Sequence, residues 1–249
     1  MDGGESYNAS FFDTQKEGAL KSAEIVVPLV AELVRPCAVV DVGCGLGAWL
    51  APFKDYGVTR ILGIDGDYVD TSSLLIPRDC FRPLDLNRPV AVGEKFDLAV
   101  CLEVAEHLPE TSAQPLIRFL CDLAPVILFS AAVPGQTGTN HINEQWPEYW
   151  KTLFARHGYV RIDAIRKLIW KNREVDWWYR QNTFFYVHQD AVAFYPDLAR
   201  TFEEADDLVL IHRGIIEKYV WLPEVIKRLP SRVLEAATGR FPGTSRDPK

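Results

Sequence analysis

The chain has 249 residues, of which 48% are apolar and 24% are charged, so we expect a soluble globular protein that buries one sizeable core. A formal net charge of −7 provides no overall basic surface for a phosphate backbone and disfavours nucleic-acid partners. The five cysteines contain no Cys-x-x-Cys pair and no apolar run approaches the ~18 residues of a membrane span, which favours a reducing cytoplasm over a disulfide framework, a thiolate zinc site or a membrane.

The beginning of the chain is expected to form a flap and then a helix. Residues 1–17 are polar with a short aromatic insert, which is typical of a segment that orders over a ligand. Apolar residues then recur at helical spacing from Leu20 to Val34. Pro28 is expected to kink or restart this helix.

A glycine-rich turn follows the first predicted strand, Ala38–Val42, whose β-branched run suits burial on both faces of a parallel sheet. Glycines stand at three alternate positions directly after it: Gly43, Gly45 and Gly47. Glycine lets the backbone turn sharply and approach a ligand, and the helix that opens next directs unpaired N–H groups towards it. The pattern predicts a nucleotide cradle at the carboxyl end of the strand, with an ordinary strand-to-helix turn as the alternative.

The run from Asp41 to Gly47 reads Asp-x-Gly-x-Gly-x-Gly and resembles the first motif of class I S-adenosylmethionine-dependent methyltransferases. In that family the glycine turn lies against the methionine part of the cofactor. The resemblance therefore implies that the chain binds S-adenosyl-L-methionine through Gly43 and Gly45. It also implies that Asp41 orders the turn and the amino group of the cofactor.

Later strand ends are expected to reach the same cofactor. The predicted second strand ends in Asp65, about 20 residues past the glycines, where a carboxylate can accept hydrogen bonds from both ribose hydroxyls. A solvated turn residue is the alternative for Asp65. A short third strand over 80–86 ends in Asp85 and Leu86, and the resemblance implies that this acid and the Leu86 backbone meet the adenine. Cys101, at the end of the fourth strand, completes the expected cofactor-binding set.

The whole pattern predicts an α/β fold: a Rossmann-like, seven-stranded, mostly parallel sheet with helices on both faces and an antiparallel last strand. The later strands are predicted over 96–101, 125–131, 159–170 and 183–188, with helices over 111–124 and from Pro147 to Gly158. The expected regions are an N-terminal flap and helix over 1–35, an S-adenosylmethionine-binding methyltransferase domain over 36–190, and a C-terminal extension with a disordered tail over 191–249.

Acidic and imidazole side chains follow the fourth and fifth strands. Glu103, Glu106 and His107 stand at i, i+3 and i+4, which places them on one face if they open a helix. The segment 134–146, after the fifth strand, carries His141. Because the carboxyl ends of neighbouring strands lie together, these two carboxylates and two imidazoles can meet and bind a divalent cation such as Mg²⁺, Mn²⁺, Fe²⁺ or Zn²⁺.

The Glu-x-x-Glu-His pattern with a later His resembles the metal site of the small-RNA terminal 2′-O-methyltransferases, and ubiquinone-pathway O-methyltransferases carry a similar Glu-x-x-Glu-His. The resemblance implies the metal ligands Glu103, Glu106, His107 and His141, and a metal that lowers the pKa of a substrate hydroxyl. His107 and His141 are the expected catalytic residues. A metal-free general base and a structural role are the alternatives for His107.

Two aromatic-rich stretches, Asn143–Trp150 and Asp176–Asn182, are expected near the acceptor. Aromatic faces mixed with amides suit a sugar ring or a glycosylated natural product, because rings stack on C–H faces while amides bind hydroxyls. Packing of the tryptophans under a long loop is the alternative. The predicted substrate-binding residues are Glu144, Trp146, Trp177, Trp178 and Gln181.

These stretches and the N-terminal segments resemble a bacterial group of methyltransferases associated with glycan or secondary-metabolite assembly, over roughly residues 6–215. We therefore expect methyl transfer to an oxygen of a small hydroxylated acceptor, a sugar or a natural product. The expected partner is that small molecule, and a homodimer is compatible with the sequence. The alternatives are an RNA ribose 2′-O-methyltransferase and a non-catalytic, cofactor-binding partner subunit, and methylation of carbon or nitrogen stays open.

Overall fold

The computed structural model describes residues 9–88 and 92–203. Within these ranges, seven strands form one sheet in the order β3-β2-β1-β4-β5-β7-β6. The strands are β1 (Ala38–Val42), β2 (Arg60–Asp65), β3 (Phe81–Pro83), β4 (Leu98–Leu102), β5 (Val126–Ser130), β6 (Tyr159–Ile162) and β7 (Phe184–His188).

Helices connect the strands and surround the sheet. Those in the described residues are α1 (Ala9–Val34), α2 (Leu50–Asp55), α3 (Glu110–Leu123), α4 (Pro147–Ala155), α5 (Arg166–Ile169), α6 (Trp177–Asn182) and α7 (Pro196–Glu203). In this part of the chain, no helix combines the length and the apolar character needed to cross a membrane.

The direction of the strands fixes where a ligand can bind. All neighbours are parallel except at β7, which runs antiparallel to both β5 and β6. The strand order reverses between β1 and β4, which lie side by side although β2 and β3 come between them in the chain. Open α/β sheets bind ligands outside the carboxyl ends of the strands at such a reversal. The predicted fold class is confirmed, and its binding edge lies at the ends of β1 and β4.

Both faces of the sheet are buried under helices, as the near-continuous apolar strands require. Alternate residues of a strand point to opposite faces, so each strand contributes to two cores. Val39 and Leu98 pack in one core with the apolar faces of α1 and α2. Val40 and Ala99 pack in the other with α3 and α4. The sheet is therefore the middle layer of three. Because both of its faces are covered, a ligand can reach the sheet only at the ends of its strands.

The two ends of the chain differ in part from the expectation. Helix α1 begins at Ala9, so the second half of the predicted flap is helical, and the helix continues through Pro28 without a restart. Residues 1–8 lie outside the described residues. So does most of the predicted C-terminal extension, including its expected disordered tail.

The sixth strand is shorter than the sequence predicts. It ends at Ile162, and the next residues turn into helix α5. The buried guanidinium of Arg166 donates to the Asp163 carboxylate (Nη2 to Oδ2, 2.5 Å) and to a backbone carbonyl of α6 (3.0 Å). A buried cation satisfied by its own neighbours folds the chain back, so the apolar residues after it pack as a helix.

Candidate active site

The glycine turn is closed at its first glycine and open at its second. Gly43 has a φ of +84° and donates its N–H to the Ile64 carbonyl of β2 (2.7 Å). A Cβ on Gly43 would lie 2.3 Å from the side chain of Val104, whereas a Cβ on Gly45 would meet nothing within 4 Å. Gly45 also has a positive φ, of +52°. The open space over Gly45 is a cradle that a side chain would fill, so the turn fits the cofactor implied by the sequence.

Two carboxylates support this turn from below. Asp65 accepts hydrogen bonds from the N–H groups of Gly45 and Gly66 (2.7 Å each) and from the Tyr68 hydroxyl. Asp41 is buried, and its Oδ2 has no hydrogen-bond partner among the described residues. Burial and the charge of Asp65 raise the pKa of Asp41. Asp65 thus shapes the cradle itself, and its contact with a ribose stays a prediction.

The other expected cofactor residues lie in different surroundings. Asp85 is exposed, and the backbone and side-chain amides of Asn87 both donate to its Oδ1 (2.9 Å), which lowers its pKa. Leu86 beside it is buried. Cys101 has no exposed surface in β4, and burial raises the pKa of its thiol. The side chain of Cys101 lies in the core between the sheet and α3, and its expected contact with the cofactor stays a prediction.

Three side chains converge at the ends of β4 and β5. The potential ligand atoms of Glu106, His107 and His141 all lie within 4.8 Å of one another. The rings of His107 and His141 are nearly perpendicular (83°), with centroids 4.9 Å apart. We call these three residues the histidine cluster. They come together through a 3-10 turn over Ala105–His107, in place of the helical turn that the spacing suggested.

Glu106 makes the histidine cluster suitable for a cation. The residue has no exposed surface, and neither of its carboxylate oxygens has a hydrogen-bond partner within the described residues. Burial and the nearby Glu103 raise its pKa. A buried carboxylate without a partner is unfavourable, and a bound cation would remove that penalty. Two imidazoles and one carboxylate are donors that suit several divalent transition metals.

The surroundings of His107 favour the neutral form of its imidazole. Burial lowers its pKa, and the nearby His141 ring lowers it further, against smaller upward effects from hydrogen bonds with the backbone at Asn140 and Thr139. A neutral imidazole can bind a metal or accept a proton. The geometry therefore suits both catalytic roles expected for His107.

Glu103 does not join the histidine cluster, in contrast to the predicted set of four ligands. Gln136 donates its side-chain amide to one carboxylate oxygen of Glu103 (2.7 Å), and Asn182 donates to the other (3.1 Å). The same amide of Asn182 also donates to the Gln136 side-chain oxygen (2.8 Å). We call Gln136 and Asn182 the amide clamp. Both oxygens of Glu103 are held by the clamp, so this carboxylate lies near the histidine cluster but is not one of its potential ligands.

The backbone of Glu103 is equally constrained. Its φ of +55° lies in the left-handed region, which is uncommon for a residue other than glycine. Its N–H donates to the carbonyl (3.0 Å) and the hydroxyl (3.1 Å) of Ser130. Burial raises the pKa of Glu103, and hydrogen bonds from Asn182, Ser130 and Gln136 oppose that shift.

The amide clamp and Ser130 are site residues that sequence reasoning missed. Gln136 follows β5, and Asn182 ends α6 two residues before β7, so they are far apart in the chain. They meet because β7 is antiparallel to β5, which places its first residues at the carboxyl edge. Both stand in stretches already selected for other residues, but nothing in the sequence sets these two amides apart from their neighbours.

The predicted substrate-binding residues are divided between surface and interior. Trp146 is 48% exposed, and Ile142, directly after His141, is 64% exposed. Trp177 and Trp178 open helix α6 and are half-buried, with their rings 5.7 Å apart. The remaining two have other surroundings: Gln181 is buried, and Glu144 is hydrogen-bonded within its own loop.

Comparisons with known proteins agree with this architecture. Residues 14–188 match a family model described as a methyltransferase domain. Over 118 residues the chain is 32% identical to the ubiquinone biosynthesis O-methyltransferase of Methylobacterium sp. (strain 4-46), a match that covers 44% of this chain and 46% of the relative, less than half of its length.

Two solved structures share the fold at low sequence identity. The sugar N-methyltransferase KedS8 from Streptoalloteichus sp ATCC 53650 has a TM-score of 0.54 and 14% identity, and the match covers 76% of this chain and 94% of that one. Magnesium protoporphyrin IX methyltransferase from Synechocystis PCC 6803, solved with bound SAH, has a TM-score of 0.50 and 19% identity, with 75% of this chain and 90% of that chain covered.

Proposed function

We propose a specific reaction for this chain, which belongs to the methyltransferase domain family. In this proposal it methylates a hydroxyl oxygen of a small acceptor, a sugar or a natural product. The chain is an S-adenosylmethionine-dependent methyltransferase by its family and its curated relative. The observation that carries the finer proposal is the position of the histidine cluster beside the glycine turn. Val104, which fills the space above Gly43, lies only two residues before Glu106.

The choice of oxygen and of the acceptor class has two supports. The curated relative is by name an O-methyltransferase. The segment that carries His141 continues with Ile142 and Trp146, which are exposed large apolar side chains. An aromatic face beside a proton acceptor suits a hydroxylated ring, because the ring stacks while its hydroxyl reaches the acceptor.

The reaction requires orientation and the removal of one proton. The acceptor oxygen attacks the methyl carbon in line with the sulfur, the carbon–sulfur bond breaks, and the hydroxyl proton leaves. In the metal-free form of the proposal, His107 takes this proton, because burial lowers the pKa of its imidazole and so favours the neutral form. The Asp65 carboxylate would hold the ribose of the methyl donor, and the open cradle at Gly45 would lie against its methionine part.

The unpartnered carboxylate of Glu106 favours a metal-assisted form of the same reaction. Glu106, His107 and His141 would hold the cation. A divalent metal in such a site lowers the pKa of a bound hydroxyl and orients its oxygen. Glu103, fixed by the amide clamp, keeps a second carboxylate close to the histidine cluster and adds to its attraction for a cation.

Elemental analysis of the purified protein and methyl-transfer assays test this proposal together. Labelled S-adenosylmethionine is supplied with a panel of sugars, phenols, amines and RNA, with chelator and with the metal added back. We expect transfer to a hydroxyl, loss on chelation and recovery with metal. His107→Ala and His141→Ala should abolish transfer, whereas the matched control His157→Ala, outside the cluster, should not.

The results separate the parts of the proposal. Transfer that survives chelation but not His107→Ala leaves the metal-free base and removes the metal. Transfer only to amines or carbon removes the oxygen acceptor. Transfer to RNA with strong salt dependence would support the ribose methyltransferase, whose pattern the histidine cluster shares and which the net charge of −7 disfavours. Cofactor binding without any transfer would support a non-catalytic subunit.

A further inference from the structure

The loop after β5 is organised around one carboxylate. Glu144 accepts hydrogen bonds from the N–H of Gly135 (2.7 Å) and the N–H of Thr137 (2.6 Å), and its Oε1 lies 2.9 Å from Nδ1 of His141. The side chains of His141 and Glu144 are only 12% and 17% exposed. A catalytic role of His141 alone does not explain this set of three contacts to one partly buried carboxylate.

The contact with Glu144 determines which nitrogen of His141 carries hydrogen. A carboxylate accepts hydrogen bonds and cannot donate them, so Nδ1 of His141 must be the donor. In the neutral ring, the lone pair then belongs to Nε2. Carboxylates that orient histidines in this way fix both the tautomer and the direction of the ring at metal sites.

A glycine provides the space that the ring occupies. A Cβ on Gly138 would lie 2.3 Å from Nε2, 2.6 Å from Cε1 and 2.8 Å from Cδ2 of His141. These similar distances place the added atom over the face of the ring, because an atom in the ring plane beyond Nε2 would be much farther from both carbons. Gly138 therefore lies over the face of the His141 ring and leaves the lone pair of Nε2 accessible.

The backbone on both sides of this glycine is held in an uncommon conformation. Thr137 and Asn140 have φ values of +52° and +59°, and Thr137 is β-branched, for which this region is especially unfavourable. The turn at Thr137 is what aims its N–H at Glu144. The backbone of the loop is therefore folded around the Glu144 carboxylate.

We infer that Glu144 is a positioning residue that holds His141 in the Nδ1–H tautomer with Nε2 directed to the histidine cluster, and that Gly138 is required for this placement. The inference rests on the proposed function, since it assigns a purpose to the orientation of His141. It also replaces the sequence prediction that Glu144 binds substrate.

The first test measures the tautomer in the full-length, metal-free protein. Long-range ¹H–¹⁵N correlation spectra distinguish the two nitrogens of each histidine. We expect hydrogen on Nδ1 of His141 in the wild type, and loss of this preference in Glu144→Gln. Hydrogen on Nε2 in the wild type would overturn the inference without any variant.

The second test measures Mn²⁺ affinity by calorimetry. Removal of an orienting partner weakens metal binding by about 10- to 100-fold, so we expect this loss in Glu144→Gln. Gly138→Ala should lose affinity but keep the Nδ1–H tautomer. The matched control is Glu148→Gln on helix α4, which removes an exposed carboxylate that pairs with Arg161 of β6 and should change neither property.

The outcomes keep the two proposals apart. If the wild type binds no Mn²⁺, the metal-assisted form of the proposed function fails, and the tautomer spectra alone decide the present inference. If Glu144→Gln keeps both the tautomer and the affinity, the inference fails while the proposed function stands. Binding of S-adenosylhomocysteine by each variant reports whether the fold is intact.

Discussion

The glycine turn and the histidine cluster lie next to each other at the ends of β1 and β4, but they are built in different ways. The glycine turn is local, because its key atoms belong to seven consecutive residues and to the end of the adjacent strand β2. The histidine cluster and its support draw side chains from the segments that follow β4 and β5 and from the end of α6, two residues before β7. A local motif can be recognised from spacing, whereas a site assembled by topology depends on the whole sheet.

The two regions also differ in what holds them. Backbone N–H groups and positive φ angles define the glycine turn, so residues other than glycine are unfavourable at these positions. Buried side-chain carboxylates and amides define the cluster and its clamp, so isosteric substitutions can keep its shape and change its chemistry. The following substitutions separate these two kinds of construction.

The largest effect is expected from Gly43→Ala. The new Cβ would collide with Val104 at 2.3 Å in a left-handed backbone, so we expect a loss of about 2–5 kcal/mol in the free energy of unfolding. Gly45→Ala meets nothing within 4 Å and should cost only about 1–2 kcal/mol, while still filling the cradle. Denaturant unfolding and calorimetry with S-adenosylhomocysteine check this difference. Equal losses of stability in both variants would contradict the difference in free space between Gly43 and Gly45.

The next effect is expected from Asn182→Ala in the amide clamp. Glu103 would lose one of its donors while staying buried, which should destabilise the fold by about 1–3 kcal/mol and raise the pKa of Glu103 further. The acid limb of the pH–rate profile should then move to higher pH. Asn172→Ala, which removes a side-chain acceptor for the Glu174 N–H in the turn between α5 and α6, is the matched control. An unchanged profile would show that the clamp has no electrostatic role.

A smaller effect is expected in the pH dependence of stability. The pKa of Glu106 is raised in the folded chain, so the folded state binds more protons than the unfolded state above the ordinary value of 4.5. Stability of the metal-free protein should therefore fall as pH rises from there, by up to about 1.4 kcal/mol per pH unit for one group. Glu106→Gln should lack this component. Chemical unfolding of both proteins over a range of pH measures the difference, and identical slopes would refute it.

The smallest effect is expected from Asp85→Asn. Its carboxylate is exposed and bonds only to Asn87 among the contacts found in the described residues, so the unfolding transition should not move. If Asp85 meets the adenine amino group, affinity for S-adenosylhomocysteine should fall by about tenfold, the loss of one hydrogen bond to a charged group. Calorimetry decides, and unchanged affinity would remove Asp85 from the cofactor site.

The sequence predicts well those features that short stretches determine. The first strand, Ala38–Val42, has the predicted bounds, and the fifth differs by one residue at each end. Both are β-branched or apolar runs next to residues that disfavour a strand: Pro36 and Gly43 flank the first, and Pro125 precedes the fifth. The sixth strand, predicted over 159–170, ends at Ile162, so its second half is wrong: the pairing of Arg166 with Asp163 outweighs an apolar pattern that suits either structure.

The candidate site shows the same boundary between local and distant effects. Spacing after β4 was enough to select Glu106 and His107, and strand order was enough to bring His141 to them. The separate place of Glu103 could not be predicted, because it depends on amides that lie 33 and 79 residues away in the chain. The burial of Cys101 and the contacts of Glu144 depend likewise on packing that no spacing reveals.

The position of β7 between β5 and β6 has a consequence for the synthesis of this protein. The strand is the last of the sheet to leave the ribosome, yet β6 joins the sheet only through it in the described residues. Asn182, two residues before β7, contacts Glu103 at the same stage. A nascent chain therefore cannot pair β6 into the sheet or complete the amide clamp around Glu103 until β7 has been translated and inserted.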